Sequence, residues 1–227
     1  MLEEAGAEVV VAEATRLDAV FVYDPALITD DGAVLLRPGK PERLAEVDEL
    51  RHELESANVR ILDRLEEPLL AEGGDFFWLD AGTLCAGRGY RTSSEGIWAL
   101  ERLLEVEVLA FDLPHHHGPA ACLHLLSLLS PLAEDLVVAY PPLLPVRLAQ
   151  LLEELDVEVV AVPHAEFETL GPNALALAPR VALIPEHNRE TRRRLEAAGV
   201  EVLVYRAAEL TKGEGGPTCL TLPLRRG

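Results

Sequence analysis

Residues 76–112 read FFWLDAGTLCAGRGYRTSSEGIWALERLLEVEVLAFD and contain one complete copy of a pattern that recurs along the chain. Two short apolar runs come first, and each is typical of a β-strand. A segment with the 3.6-residue spacing of an amphipathic helix follows, and a third apolar run closes the copy. The predicted elements are the strands Phe76–Leu79 and Thr83–Gly87, the helix Ser93–Leu104 and the strand Glu107–Asp112.

The same order of strand, strand, helix and strand recurs roughly every forty-odd residues, which indicates a repeat architecture rather than a doubly wound sheet. Neither nucleotide-binding fingerprint is present, because Gly87-Arg88-Gly89 lacks a third glycine. The further predicted strands are Glu8–Glu13, Ala19–Tyr23, Ala33–Arg37, Val59–Asp63, Leu136–Tyr140, Glu158–Val162, Ala174–Leu177, Val181–Pro185, Glu201–Tyr205 and Cys219–Leu224, and the further helices are Glu42–Ala57, Val146–Leu155 and Arg189–Ala198.

The composition predicts one globular α/β domain covering residues 1–227. The 227 residues are 49% hydrophobic, and no Ser/Gly-rich linker divides them. The formal net charge of −19 argues against nucleic-acid binding, which needs a basic surface. The basic cluster Arg192–Arg194 is interpreted as the solvated face of a helix.

The chain shows no transmembrane segment and no signal peptide, since its apolar runs are short and its N-terminus is acidic. We therefore expect a cytoplasmic protein without a membrane partner. Three cysteines without a Cys-x-x-Cys pair exclude a disulfide framework. Cys85 and Cys122 lie in apolar runs and are expected to be buried structural thiols.

Cys219 stands apart from the other cysteines. A glycine-rich segment, Gly213–Thr218, delivers it to the start of a predicted strand. Such a loop can present a thiol at the mouth of a cavity, whereas a structural cysteine more often lies within a strand. A single cysteine with a histidine elsewhere is a candidate nucleophile pair, because the thiolate needs a base or a cationic neighbour.

The partner histidine must be chosen from seven. His115–His117 follow Pro114 without the Cys, Asp or Glu spacing of a metal centre, and we interpret them as a surface loop. His124 lies in the mostly apolar run Cys122–Leu128, where a buried polar ring needs a reason to exist. A core histidine with a backbone partner is the alternative interpretation.

Two carboxylates flank two glycines in Glu72-Gly73-Gly74-Asp75, directly before the strand that begins at Phe76. The glycines permit a tight backbone that holds both side chains near a pocket. An acidic turn without function is the alternative interpretation.

Taken in order, these segments resemble the motifs of the guanidino-group-modifying (pentein) superfamily, which includes dimethylarginine dimethylaminohydrolases, arginine deiminases and amidinotransferases. Nearer the N-terminus, Phe21–Asp24 and Arg37–Arg43 resemble the dimethylarginine dimethylaminohydrolase branch. The ordered motifs that carry the resemblance are Glu72–Asp75, Gly87–Thr92, Leu123–Leu125, Asn173–Ala178 and Gly215–Cys219.

The resemblance implies a five-bladed, pseudo-symmetric α/β propeller of ββαβ modules with its site on the central axis. Family members have a further strand and loop before the segment that matches Leu2–Val11, so either the sequence starts late or the first blade is incomplete. An incomplete blade exposes an edge strand, and this favours a homodimer.

The resemblance also assigns chemical roles. Cys219 attacks the guanidinium carbon of an arginine-like substrate, His124 transfers protons and Glu72 holds the guanidinium, giving a citrulline-type product through a thiouronium intermediate. The partner is a small cationic guanidino compound, and neither a metal nor an organic cofactor is expected. The further substrate-binding residues implied are Asp18, Asp24, Arg43 and Arg91.

Two departures leave the substrate open. Leu126 stands where arginine deiminases have an aspartate, and an apolar residue there fits an N-substituted guanidinium better than free arginine. Tyr23 stands where the dimethylarginine branch has a glutamate. An amidinohydrolase of the dimethylarginine type is the leading hypothesis; an arginine deiminase, an amidinotransferase, a catalytically silent guanidino-compound binder and an unrelated cysteine hydrolase such as an amidase are the alternatives.

Overall fold

The computed structural model describes residues 2–12, 16–119, 121, 123–207, 209, 213 and 215–225. Its strands are β1 Ala26–Thr29, β2 Gly32–Leu35, β3 Ile61–Arg64, β4 Phe76–Asp80, β5 Thr83–Arg88, β6 Glu107–Asp112, β7 Leu129–Ala133, β8 Leu136–Ala139, β9 Glu158–Ala161, β10 Leu175–Ala178, β11 Val181–Pro185 and β12 Glu201–Tyr205. The α-helices are α1 Leu44–Ser56, α2 Ser94–Leu104, α3 Val146–Glu154, α4 His164–Phe167 and α5 Arg189–Ala197.

The strands form four small sheets of three strands each: β1–β3, β4–β6, β7–β9 and β10–β12. In every sheet the first two strands are an antiparallel hairpin, and the third returns parallel to the second after a helix. The sequence-predicted repeat of strand, strand, helix and strand is therefore confirmed as four ββαβ modules. The modules begin at residues 26, 76, 129 and 175, a wider spacing than the sequence suggested.

The second module shows why these residues adopt this unit. The Ser93 hydroxyl accepts a hydrogen bond of 3.1 Å from the Gly96 amide and so caps α2 at its N-terminus. Ile97 and Leu100 face inward from α2 and are buried against β4 and β5. β5 and β6 pair in register from Thr83 opposite Glu107 to Arg88 opposite Asp112. Helix capping, hydrophobic spacing and strand pairing thus favour the same structure.

The first strands of all four modules border one large cavity of about 1240 Å³. Its lining includes Leu27 of β1, Phe77 of β4, Ser130 of β7 and Leu175 of β10, together with Thr218 near the C-terminus. The modules therefore surround a common space. The segments before β1, β4 and β7 also contact one another, because the Gly74 amide donates to Asp24 and His124 lies against Glu72.

Two predicted strands, Ala19–Tyr23 and Cys219–Leu224, are wrong. Ala19 and Val20 belong to the 3₁₀ helix Leu17–Val20, and a turn follows at residues 22–25. The Phe21 carbonyl accepts hydrogen bonds of 3.3 Å from the Asp24 amide and from Arg43 Nη2 instead of from a neighbouring strand. Residues 217–220 form a turn as well, and Pro217 cannot donate to a strand ladder. The predicted strand Glu8–Glu13 has no regular structure over residues 8–12, and Glu13 lies outside the described residues.

Other predictions can be checked directly. Cys85 is fully buried, as expected, and burial raises the pKa of its thiol to about 12. Cys122 lies outside the described residues. Within the part of the chain that the structure describes, none of the helices has the length and apolar character needed to cross a bilayer.

Candidate active site

Four polar residues of the candidate site share one structural position, because each lies just before the first strand of a module. Asp24 precedes β1, Glu72 precedes β4, His124 precedes β7 and Asn173 precedes β10. Hydrogen bonds join three of these leading segments, from the Gly74 amide to Asp24 and between His124 and Glu72. Cys219 joins this group from the C-terminal turn, where its carbonyl oxygen accepts a hydrogen bond of 3.4 Å from the Tyr23 amide.

Glu72 is the centre of the cluster and is fully buried. Its Oε2 atom lies 2.7 Å from Nε2 of His124. Its Oε1 atom accepts hydrogen bonds of 2.8 Å from Arg91 Nε and from the Gly39 amide. Burial by itself would raise the pKa of Glu72, but the hydrogen bond and charge of His124 and the charge of Arg91 outweigh burial and lower the pKa to about 2. Glu72 is therefore a carboxylate at neutral pH.

His124 has its two ring nitrogens in different environments. Nε2 is committed to Glu72, and Nδ1 lies 3.7 Å from Oδ1 of Asp24. The ring packs against the backbone of Gly74, where a Cβ atom would overlap it, so only glycine permits this approach. The His124 amide donates to the Ser127 hydroxyl at 3.2 Å, which fixes the start of the following 3₁₀ turn. A carboxylate thus orients the imidazole, an arrangement suited to proton transfer.

Asp24 and Arg43 form a buried ion pair beside His124. Arg43 Nη1 donates to Asp24 Oδ2 at 2.7 Å, and Arg43 Nε donates to Glu46 at 2.9 Å. Burial lowers the pKa of Arg43, but the charges of Asp24 and Glu46 reverse this and hold it above its usual value. The second Asp24 oxygen accepts from the Gly74 amide at 3.3 Å. This oxygen is also the one nearest His124.

The remaining predicted substrate-binding residues occupy different environments. Arg91 is buried, and its guanidinium lies 2.7 Å from Glu72 Oε1. Arg43 is buried among acids and backbone carbonyls, including the Asp18 carbonyl at 3.4 Å. The Asp18 side chain is 42% exposed and lies 3.9 Å from Lys40. The structure thus brings Glu72, His124, Asp24, Arg43 and Arg91 together and leaves the Asp18 carboxylate at the rim.

Asp75 supports the site through hydrogen bonds to the segments around it. It is fully buried; its Oδ1 accepts from the Leu125 amide at 2.9 Å and its Oδ2 accepts from the Thr92 hydroxyl at 2.6 Å. The Thr92 hydroxyl in turn accepts from the Glu72 amide at 3.1 Å. Burial raises the pKa of Asp75 to about 6 despite these hydrogen bonds. Asp75 therefore joins the segments that carry Glu72 and His124.

Cys219 is partly buried. Asn173 Nδ2 donates to its Sγ at 3.3 Å. Burial, and next the charge of Asp24, raise the pKa of the thiol, while hydrogen bonding from the Gly216 backbone, the charge of His124 and hydrogen bonding from Asn173 act in the opposite direction. The thiol therefore shares one electrostatic environment with Asp24 and His124. In the unliganded site, the net effect favours the protonated thiol.

Sequence reasoning missed three polar residues around the site. Asn173 and Thr92 lay within quoted motifs but received no role. Tyr205 was read only as the end of a strand; its buried hydroxyl has no hydrogen-bond partner among the described residues. Burial, and then the charge at Cys219, raise the pKa of Tyr205 to about 12. The glycine-rich segment before Cys219 was the available signal for Asn173, because glycines let a backbone approach a buried side-chain amide closely. No feature of the sequence indicated a role for Tyr205.

Two groups of side chains among the described residues could hold a metal ion, because their ligand atoms lie within 4.8 Å of one another. One group lies in the site itself, and the other lies on the surface, where Glu168 supplies the acid that the sequence analysis did not find near the histidine triplet. His115 points elsewhere and bonds to Tyr90 at 2.8 Å. The two groups are Asp24, Glu72 and His124, and His116, His117 and Glu168.

A family model described as "Arginine deiminase" matches residues 18–148 and 143–226. The chain belongs to the arginine deiminase family. Arginine deiminase from Rhodococcus erythropolis is 33% identical over 187 aligned residues, which cover 68% of this chain and 46% of that protein. Arginine deiminase from Listeria welshimeri is 26% identical, with 91% of this chain and 61% of the relative covered. The chain thus spans about half to three fifths of the length of these relatives.

Solved structures of the guanidino-group-modifying superfamily share the fold. The N-terminal domain of ArgZ, a cyanobacterial arginine dihydrolase, superposes with a TM-score of 0.80 at 22% identity and covers 92% of this chain and 76% of that domain. DDAH from Pseudomonas aeruginosa, in complex with citrulline, gives a TM-score of 0.74 at 22% identity, with 89% and 75% covered. The resemblance inferred from the ordered motifs is confirmed.

Proposed function

We propose that the protein hydrolyses a C–N bond of a guanidinium group, with Cys219 as the nucleophile, His124 as the acid and base, and Glu72 as the guanidinium anchor. The observation that supports this most strongly is the 2.7 Å contact between Glu72 Oε2 and His124 Nε2. This contact directs the other ring nitrogen toward Asp24, whose charge also acts on the Cys219 thiol. A nucleophile, an oriented base and carboxylates for a cation are thus combined in one place.

The proposed reaction has two steps, formation of a covalent thiouronium intermediate and its hydrolysis, and the protons balance in each step. Cys219 gives its proton to His124, and the thiolate attacks the guanidinium carbon to form a C–S bond. His124 then protonates the leaving amine as its C–N bond breaks, which leaves a thiouronium. A water molecule gives a proton to His124 and attacks the same carbon. The C–S bond breaks, Cys219 recovers its proton and a citrulline-type product departs.

The electrostatics of the site suit a cationic substrate. Glu72 remains ionised at neutral pH and can hold a planar cation through charge-assisted hydrogen bonds. In the proposed complex, the substrate guanidinium lies beside Cys219 and lowers its pKa by a favourable charge interaction. The raised thiol pKa of the unliganded site therefore agrees with a nucleophile that is activated when substrate binds.

We further propose that the substrate guanidinium is N-substituted, as in dimethylarginine. Leu126 is buried and borders the common cavity beside Tyr23 and Phe77. An apolar side chain can accept N-methyl groups, whereas an unsubstituted guanidinium edge would lose hydrogen bonds against it. Free arginine is the second candidate substrate, and the chain's membership of the arginine deiminase family favours it.

Turnover of a guanidine panel tests the reaction. Purified protein is given arginine, monomethylarginine, dimethylarginine and agmatine, and the citrulline-type product and the released amine are measured. We expect turnover of methylated substrates that Cys219→Ser abolishes. Cys85→Ser is the matched control, because that thiol is buried in the core and should be dispensable. Absence of turnover with every substrate would overturn the proposal and favour a silent binder.

A charge change at Leu126 tests the proposed specificity. Leu126→Asp introduces the acid that an unsubstituted guanidinium edge can bind, so the ratio of kcat/KM for arginine to that for dimethylarginine should rise at least about tenfold, the factor for one good charge-assisted hydrogen bond. Leu126→Asn has nearly the same shape without the charge and should change the ratio less. An unchanged ratio in Leu126→Asp would contradict the role of this residue.

We also propose that residues 1–227 form a single domain and that the four modules are blades of a five-bladed α/β propeller. The cavity bordered by all four first strands would be its axis. The segments outside the modules meet where the Tyr23 amide bonds to the Cys219 carbonyl, and Leu222 and Leu224 pack on the core of the first module. These contacts support a fifth unit assembled from both terminal segments.

A further inference from the structure

We propose that Asn173 is a further catalytic residue, whose side-chain amide holds the Cys219 sulfur in place and stabilises its thiolate. This inference rests on the proposed function, since it concerns the nucleophile of that reaction. Asn173 is buried, with 3% of its surface exposed, and lies directly before β10. It is 46 residues from Cys219 in sequence, yet its Nδ2 atom lies 3.3 Å from the sulfur.

Both ends of the Asn173 amide are used, and this fixes its orientation. Oδ1 accepts a hydrogen bond of 3.0 Å from the Thr218 amide, the residue before the nucleophile. A backbone N–H requires an acceptor, so the carbonyl end must face Thr218 and the NH₂ end must face Sγ. The side chain therefore determines the position of the cysteine backbone and of the cysteine sulfur at once.

The surrounding backbone holds Asn173 rigidly. The Ser130 hydroxyl of β7 donates to the Pro172 carbonyl at 2.8 Å and accepts from the Ala174 amide at 3.0 Å, bracketing Asn173 on both sides. The Thr218 hydroxyl donates to the Ala174 carbonyl at 3.2 Å. Such support is what a preorganised donor needs.

Gly216 completes the arrangement. A Cβ atom at Gly216 would overlap the Asn173 amide, so the glycine-rich segment is required for the backbone to approach this side chain. The sulfur thus faces hydrogen-bond donors from both the Gly216 backbone and Asn173. These donors oppose the effects of burial and of the nearby Asp24 carboxylate, both of which disfavour the thiolate.

The test measures the pH dependence of thiol alkylation in the absence of substrate. Wild type, Asn173→Asp and Asn173→Ala are treated with iodoacetamide between pH 6 and pH 10, and mass spectrometry of the tryptic peptide 213–225 reports Cys219 alone among the three cysteines. Asn173→Asp keeps an acceptor for the Thr218 amide but places a negative oxygen at the sulfur. We expect the thiol pKa to rise by at least about one unit and alkylation near pH 7.5 to slow about tenfold.

Asn188→Ala is the matched control. Asn188 is equally buried and bridges to Thr169 through both ends of its amide, with no contact to the thiol. Its loss should lower the melting temperature without moving the alkylation profile. Turnover should fall in kcat for both Asn173 variants, with KM less affected, because the donor acts on the nucleophile rather than on substrate binding.

The outcomes separate the two proposals. An alkylation profile in Asn173→Asp and Asn173→Ala that matches wild type, or a shift of equal size in Asn188→Ala, would overturn the role of Asn173. Absence of guanidine turnover by the wild-type protein would instead overturn the proposed function, while the alkylation profile would still report whether Asn173 stabilises the thiolate. If Asn173→Asp does not fold, Asn173→Ala supplies the same readout.

Discussion

Two buried carboxylates three residues apart, Glu72 and Asp75, have pKa values shifted in opposite directions. Glu72 faces His124 and Arg91, so its charge is compensated and its pKa falls to about 2. Asp75 has neutral donors, Thr92 and the Leu125 amide, and burial raises its pKa to about 6. The charge of His124 and the hydrogen bonds from neutral groups therefore do not offset the loss of water around Asp75, whereas for Glu72 the direct hydrogen bond and charge of His124, together with the charge of Arg91, do so.

Asp75 should make the protein less stable as the pH rises. Its folded-state pKa lies above the usual aspartate value, so the folded protein binds the proton more tightly than the unfolded chain between about pH 4 and pH 6. Asp75→Asn removes this titration. Relative to wild type, its free energy of unfolding should improve by about 2 kcal/mol between pH 4.5 and pH 7.5, as measured by denaturant unfolding.

Asp80→Asn is the matched control for this prediction, since it makes the same charge change at an exposed residue at the end of the same strand. Its stability should follow wild type across the pH range. If Asp75→Asn also follows wild type, the charge of Asp75 is compensated in a way that its hydrogen bonds alone do not provide.

The lowered pKa of Glu72 affects stability at lower pH. The stabilisation that its ionised form provides is lost as the pH falls from about 4.5 toward 2.

At the scale of elements, the sequence predicted best where local signals agreed. β6, β11 and β12 have the predicted bounds, and α2 begins at Ser94, one residue after its predicted start. Two first strands were missed. β1 has only four residues and follows Pro25, and β7 contains Pro131, which weakens its strand pattern. Both are held in place by hairpin partners that the local pattern does not reveal.

The site could be predicted only in part, for a related reason. When Glu72, His124 and Cys219 are considered one at a time, a purely structural role explains each of them better than a catalytic role. Only the order of the motifs along the chain indicates that the three belong to one site. The contacts themselves depend on tertiary placement. The Arg91–Glu72 ion pair joins the end of one strand to the segment before another, and Arg43 is occupied by Asp24 and Glu46. The sequence shows that such charges exist but not which ones neutralise each other.

At the scale of the whole molecule, the dominant feature is its acidity. The formal net charge is −19 over 227 residues. Basic side chains are already engaged with acids in the site, as with Arg43 and Arg91, and on α5, where Arg193 and Arg194 bond to Glu190. Most of the remaining negative charge is therefore uncompensated at the surface. Such a negative electrostatic field attracts a small cation. The repulsion between like charges also destabilises the compact folded state.

Moderate salt should therefore stabilise the protein. Raising NaCl from about 0.02 to 0.3 M shortens the Debye length from roughly 20 Å to below 10 Å, which screens repulsion across the surface more than it weakens ion pairs in contact. The melting temperature should rise by about 2–4 °C for each kcal/mol of repulsion removed. Potassium chloride at the same ionic strength is the control, because screening depends on ionic strength and should give the same rise. A melting temperature that falls with NaCl would mean that paired charges, rather than the net charge of −19, govern stability.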